Sequence, residues 1–141
     1  MYNEYKMKLS TKSEYACLAI IDLAEHQNKY IRIEDIAKRK NIPLKYLEYI
    51  LLKLKNSGYL ETKRGVNGGC KLAKSPKEIS IAEIIRLMDG ALAPVKSASK
   101  YFYKKTPLEK SKKMINLMKE IRNYISNKLE NTYFDRVAKL R

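Results

Sequence analysis

Between residues 15 and 24 nearly every position is apolar and only Asp22 is strongly polar. This pattern predicts a helix buried on more than one side, the hub of the core. Its start is expected at Ser10-Thr11-Lys12-Ser13-Glu14. There a Thr11 hydroxyl and a Glu14 carboxylate three residues on can satisfy free backbone N–H groups reciprocally, as a capping box. A short amphipathic helix over residues 33–41 follows, with Ile33, Ile36 and Ala37 at helical spacing, acids before bases, and Asn41 as its end. Pro43 suits the first turn of the next helix, on which Leu44, Leu47, Ile50, Leu51 and Leu54 repeat on one face up to Asn56-Ser57-Gly58. Two helices joined by a tight turn predict a helix-turn-helix. The apolar face of the second helix centres near Leu47 and Leu54, which leaves Lys45, Tyr49 and Lys53 opposite and Glu48 on the flank.

The pattern then changes period. Residues 59–64 are expected to form a strand, Gly65-Val-Asn-Gly-Gly69 a turn, and residues 70–73 a return strand. Ser75-Pro76 breaks the strand, and Ser80-Ile-Ala-Glu83 opens a second capping box leading into a helix that Gly90 stops. Residues 91–105 are expected to be an extended connection whose Tyr101-Phe102-Tyr103 cluster covers a junction. Thr106-Pro107-Leu108-Glu109 then starts a helix running to about Leu129, roughly 35 Å long. On it Met114, Ile115, Leu117, Met118, Ile121, Tyr124, Ile125 and Leu129 occupy an arc of about 180°, wider than one core requires. The same helix of a second copy, antiparallel about a two-fold axis, is the economical cover. A short last helix, residues 132–140, is expected to pack through Tyr133, Phe134 and Val137 on the partner or on its own domain.

The fold class that emerges is mainly α with a small β-hairpin wing. It comprises a winged helix-turn-helix domain (1–91), a connecting segment (92–105), and a long C-terminal dimerisation helix with a short helix after it (106–141).

Charge narrows the partner. A formal net charge of +15 favours polyanions through Coulomb attraction and counterion release. The excess is spread over both halves, so it does not locate the site by itself. No run approaches the roughly 20 apolar residues of a membrane span, and the first residues lack the apolar core of a signal peptide; a cytoplasmic protein is expected. Cys17 and Cys70, the two cysteines, suggest neither a disulfide framework nor a zinc site. Cys17 is read as core packing, and His26 as a helix-end residue near the last carbonyls. An enzyme finds no support: there is one histidine, no nucleophile with an identifiable base, and no metal or phosphate signature.

On these grounds double-stranded DNA is the expected partner, met by Pro43, Lys45, Glu48, Tyr49 and Lys53 on the second helix of the motif. An exposed helix carries such residues in many proteins; the hairpin directly after it favours a DNA-reading role. The glycine-rich tip, with Gly65, Asn67 and Gly68, lets backbone approach a phosphate, and Arg64 and Lys71 place charge at its base. The alternative is a basic RNA- or ribosome-associated protein whose working surface is the C-terminal half.

The residues Met7-Lys-Leu-Ser-Thr-Lys-Ser-Glu-Tyr-Ala16, Tyr46-Leu-Glu48, Arg64-Gly-Val-Asn-Gly-Gly-Cys-Lys-Leu-Ala73 and Glu78-Ile-Ser-Ile-Ala-Glu-Ile-Ile resemble a known family. It comprises the bacterial winged-helix regulators of the iron–sulfur cluster regulator, nitric-oxide-sensing repressor and cysteine-metabolism repressor type. The resemblance is continuous from Met7 to about Ala91; beyond Thr106 only the long-helix layout matches. It implies a homodimeric regulator, a repressor by expectation, on a roughly palindromic operator. Each recognition helix would enter a major groove and each wing a minor groove. By position Lys45, Glu48 and Tyr49 would face bases, Arg64 and the wing tip would enter the minor groove, and Thr11 would touch a phosphate. Relatives commonly carry Gln where Tyr49 stands, and Pro, Gly and Tyr where Val66, Asn67 and Cys70 stand. Cluster-binding relatives also place three cysteines between Leu92 and Thr106, where this chain offers Ser97, Ser99 and no cysteine. Clusters are held mainly by thiolates, so the cluster-free branch is expected, with no cofactor and no metal. A small molecule in the dimer cleft, a partner protein, or oxidation of Cys70 stay open as the signal, and a plain strand thiol is preferred for Cys70.

Overall fold

Helix α1 (Thr11–Glu25) forms because small and branched apolar residues occupy most of its circumference; Ala16, Ala19, Ile20, Leu23 and Ala24 are all buried. The structure, a computed structural model, describes residues 9–90 and 92–140; Met7, Lys8 and the boundary residue Ala91 lie outside that range. Around α1 pack α2 (Ile33–Lys40), α3 (Leu44–Asn56) and α4 (Ile81–Asp89), so the predicted hub is the observed one. The α1 cap differs from expectation. Ser10, not Thr11, is the N-cap: its hydroxyl accepts from the Ser13 N–H at 3.0 Å, and Thr11 is the first helical residue. Ser10 and Thr11 are equally able to cap, and Ser10 also donates to Asp89 at the end of α4, which fixes the choice.

Helix α2 ends at Asn41 in the left-handed conformation, and α3 begins directly after Pro43. Leu47, Ile50, Leu51 and Leu54 are buried as expected, but Leu44 is exposed, because its helical angle places it at the edge of that face rather than at its centre. Lys53 is half-buried rather than fully opposite the core.

Strands β1 (Leu60–Lys63) and β2 (Gly69–Leu72) pair antiparallel, with Leu60 opposite Leu72 and Lys63 opposite Gly69. Helix α4 opens with the predicted capping box: Ser80 accepts from the Glu83 N–H at 3.3 Å, and Glu83 accepts from the Ser80 N–H at 2.9 Å. It stops at Gly90, φ +87°.

Beyond α4 the expected elements are corrected. The connection is not simply extended: Lys96–Ala98 makes a 3-10 turn that buries Ser97, Ala98 and Ser99. Of the aromatic cluster, Tyr101 and Phe102 lie at the junction between α4 and the next helix as expected, the Arg86 guanidinium 4.9 Å from the Tyr101 ring centre, but all three rings remain largely exposed, so they cover it only in part. Thr106-Pro107 opens only a 3-10 turn (Pro107–Lys110), and α5 (Lys112–Glu130) starts anew after Ser111, about 28 Å long. The last helix is likewise one 3-10 turn, Phe134–Arg136. A bridge holds it: Ile81 N–H donates to the Thr132 carbonyl at 2.9 Å, and Phe134 N–H to the Ile79 carbonyl at 3.0 Å. Phe134 is fully buried in the core built by α1, α3 and α4, so the chain end closes its own winged unit.

Candidate nucleic-acid interface

The sequence-predicted contact residues of α3 are brought together on one exposed face. Lys45, Glu48 and Tyr49 are exposed, with Tyr49 53% accessible. Leu52 shares this face at 55% accessible, beside exposed Lys55 and Asn56. Leu52 was hidden in the sequence among the leucines that fill the core; its helical angle, opposite Leu47 and Leu54, was the available signal. The first half of α3 is tied to the start of α1. Tyr15 and Tyr46 meet edge to face at 5.5 Å between ring centroids, and the Lys12 ammonium lies 6.0 Å from the Tyr49 ring centre. Thr11, exposed at the N-terminus of α1, therefore belongs to the same side of the molecule.

The wing is anchored more firmly than a free hairpin. Ile31, in the loop before α2, pairs with Cys70: the Ile31 N–H donates to the Cys70 carbonyl at 2.8 Å, and the Cys70 N–H to the Ile31 carbonyl at 2.9 Å. This close approach explains Gly69, where an added Cβ would sit 2.2 Å from the Ile31 carbonyl oxygen. At Gly68 it would sit 2.2 Å from the Lys63 carbonyl oxygen. Tyr30 adds a clamp, with the Lys71 ammonium 4.7 Å and the Lys63 ammonium 5.7 Å from its ring centre. Lys71 also pairs with Glu61 at 3.7 Å, so it braces the root of the wing. Arg64, Gly65, Val66 and Asn67 are exposed at the tip, and Val66 is 96% accessible. Between the wing and α3 lies an open cleft of about 570 Å³, walled by Glu48, Leu51 and Leu52 on one side and Gly65, Val66 and Gly68 on the other.

Cys17 lies on α1, and Cys70, although buried, lines this cleft at the root of the wing. Burial pushes the Cys17 thiol up to about 12 and the Cys70 thiol up to about 11, with the charges of Asp89 and Asp22, respectively, adding to the effect. His26 receives the expected bland role, its Nδ1 lying 2.7 Å from the Asp22 carbonyl oxygen at the helix end.

The predicted apolar arc of α5 divides in two. Ile115 is buried and Met118, Ile121, Ile125 and Leu129 are half-buried. Met114, Leu117 and Tyr124 are exposed, Tyr124 at 74%. The Arg86 guanidinium joins α5 to α4, donating to Ser126 Oγ at 2.9 Å and to Glu130.

Comparison with known proteins places this architecture. The profile of the Rrf2 family, described as iron-dependent transcriptional regulators, matches residues 9–139. An rrf2-like helix-turn-helix-type regulator named from Rhodobacter capsulatus is 36% identical over 99 residues, covering 67% of this chain and 66% of its own length. The helix-turn-helix regulator IscR of Cereibacter sphaeroides is 41% identical over 86 residues, covering 59% of this chain and 56% of its own length. The chain thus spans between just over half and about two thirds of the length of these curated relatives. Among solved structures, CymR, the global cysteine regulator of B. subtilis, superposes with a TM-score of 0.74 at 27% identity, over 94% of this chain and 96% of that one. IscR of T. potens does so with 0.72 at 26%, over 93% and 85%. With a family profile over almost its whole length and these solved structures sharing its fold, the chain belongs to the Rrf2 family of transcriptional regulators.

Proposed function

We propose that the protein is a homodimeric, sequence-specific DNA-binding transcription regulator, acting as a repressor by occupying a palindromic operator in a promoter. The observation that carries this reading is the joint exposure, on one side of the molecule, of the α3 residues Lys45, Glu48 and Tyr49 and of the wing tip around Arg64. The cleft between them is open to solvent. In that reading α3 lies in the major groove, the tip of the wing meets the minor groove, and Thr11 touches a phosphate. Dimerisation through α5 is supported by its Met114, Leu117 and Tyr124, which stay exposed among the described residues. Two such faces about a two-fold axis match a two-fold operator. The +15 charge supplies the non-specific attraction common to such regulators. The RNA-binding alternative has less support, since Tyr101, Phe102 and Tyr103 stand in a loop rather than on a sheet that could stack bases.

We further propose that the regulator works without an iron–sulfur cluster. A cluster needs about three or four thiolates, and the chain has two cysteines, both held as thiols and placed in the winged unit. At the position of the expected ligands, Ser97 Oγ is 2.6 Å from Thr106 Oγ1, and Ser99 accepts from the Phe102 N–H at 2.9 Å. Those hydroxyls brace the connection between α4 and α5. The residues present do not fit the group, and the effector, whether small molecule or partner protein, would have to act by other contacts.

The test is a mobility shift of the protein's own promoter fragment, with the mass of the free protein measured by light scattering. The expected result is a shift that survives excess competitor DNA, made by a protein of twice the chain mass. Equal binding to unrelated sequence at physiological salt overturns the reading. A brown, anaerobically purified protein with iron and sulfide in proportion overturns the cluster-free part.

A further inference from the structure

The leucines of α3 do two different things. Leu47, Leu51 and Leu54 fill the core, whereas Leu52 is more than half exposed. Around the helix axis Leu52 lies about 20° from Lys45, about 40° from Glu48 and about 60° from Tyr49, within the strip proposed to face DNA. It also forms part of the wall of the cleft that faces Val66 of the wing. Burial within the chain gives this side chain little reason to be apolar. In a major groove, however, one apolar group is displayed among the hydrogen-bonding edges of the bases, the C5-methyl of thymine.

We propose that Leu52 is a specificity-determining residue that packs against a thymine methyl group in the major groove of each half-site. The proposal rests on the DNA-reading function above and adds which base this position selects. Along the cleft Arg32 pairs with Glu34, and Lys55 and Lys63 remain against the single carboxylate of Glu48, a basic excess that complements phosphates beside such a base and points to DNA as the occupant of this surface. A small apolar ligand lodged in the same cleft would touch the same side chain and is the competing occupant.

Selection of bound duplexes from a random pool, with the full chain and with its Leu52→Ser variant, tests the proposal. The wild type is expected to recover a half-site with a preferred thymine that Leu52→Ser no longer selects, the other positions being unchanged. Deoxyuridine in place of that thymidine removes only the methyl group. It is expected to weaken the wild type about fourfold, the worth of one buried methyl, and to leave Leu52→Ser unaffected. Because Leu52 is exposed, the variant should melt with the wild type, and matched melting curves keep folding out of the comparison. If the wild type recovers a site but Leu52→Ser selects the same thymines, or deoxyuridine weakens both proteins equally, the proposal is overturned and the DNA-reading function stands. That outcome would leave the cleft to a small ligand. If the wild type recovers no site, the DNA-reading function itself fails, and the proposal with it.

Discussion

Asp22 of α1 and Arg39 of α2 form a two-point ion pair: Arg39 Nε donates to Asp22 Oδ1 and Nη2 to Oδ2, each at 2.9 Å. Asp22 is 1% accessible, a charged side chain set among the buried residues of the hub. The Asp22 hydrogen bond holds the Arg39 guanidinium above its ordinary pKa. The contact sets how α2 docks on α1, and thereby where the turn into α3 begins. Removing Arg39 strands a buried carboxylate. Such losses run to about 3–5 kcal/mol, and because solvent reaches Arg39 we expect Arg39→Met to cost about 2–3 kcal/mol, within the same principle. Urea unfolding measures this; a variant as stable as the wild type would show that Asp22 finds another partner.

The wing should depend on Gly69 more than on Gly65. Both have positive φ, but only at Gly69 would a Cβ strike the backbone of Ile31. Gly69→Ala is expected to detach β2 from Ile31 and cost about 1–3 kcal/mol, with a larger proportional loss in DNA affinity than in helical content. Circular dichroism and a binding titration on the same sample separate the two effects. Gly65→Ala, with open space around it, should show the milder loss of the pair.

Charge and base contacts on α3 and the wing should separate by salt dependence. If Lys45 and Glu48 read bases, replacing either with Ala costs about 1–3 kcal/mol against the selected site and relaxes preference at one position. If Arg64 meets a phosphate, Arg64→Ala weakens all sequences alike and lowers the slope of log K against log salt by about 1. Titrations at several salt concentrations on specific and scrambled duplexes distinguish the cases.

The exposed part of α5 should carry association. Leu117 is 46% accessible in the single chain, so Leu117→Glu should leave the fold intact, yield a protein of single-chain mass by light scattering, and bind a half-site only weakly. A variant that remained dimeric would move the interface elsewhere.

Much of this architecture was legible because its signals are local. Ser80 and Glu83 announce α4 three residues apart, and the step from helical to alternating period at Tyr59 announces the wing. What escaped depended on distant partners or on equivalent neighbours. Nothing in sequence connects Asp22 to Arg39, or Ile31 to Cys70. Ser10 and Thr11 are equal candidates for a cap until Asp89 selects Ser10. Thr106-Pro107 is as good a start for a 3-10 turn as for an α-helix. Phe134 looks like an amphipathic helical residue, yet its backbone is captured by Ile79. At the candidate interface Lys45, Glu48 and Tyr49 were readable from helical angle. Lys71 was placed at the base of the wing by its position in the hairpin, but its seat over Tyr30 is a tertiary contact that the sequence does not show.

The thiols should be quiet. With Cys17 pushed up to about 12 and Cys70 up to about 11, thiolate is scarce at neutral pH, and the thiolate is the reactive form. An alkylating reagent at pH 7 should label neither residue in the folded protein and both after unfolding, and peroxide should leave DNA affinity unchanged. Rapid labelling of Cys70 in the folded state would revive it as a redox sensor.

The central claim is that one molecule places two reading heads, α3 and its wing, on a two-fold DNA site. Hydroxyl-radical footprinting on the protein's own promoter measures it most directly. The predicted result is two symmetric sets of protected sugars on one face of the duplex, separated by a whole number of helical turns. A single unpaired patch, or uniform protection without boundaries at physiological salt, would contradict it.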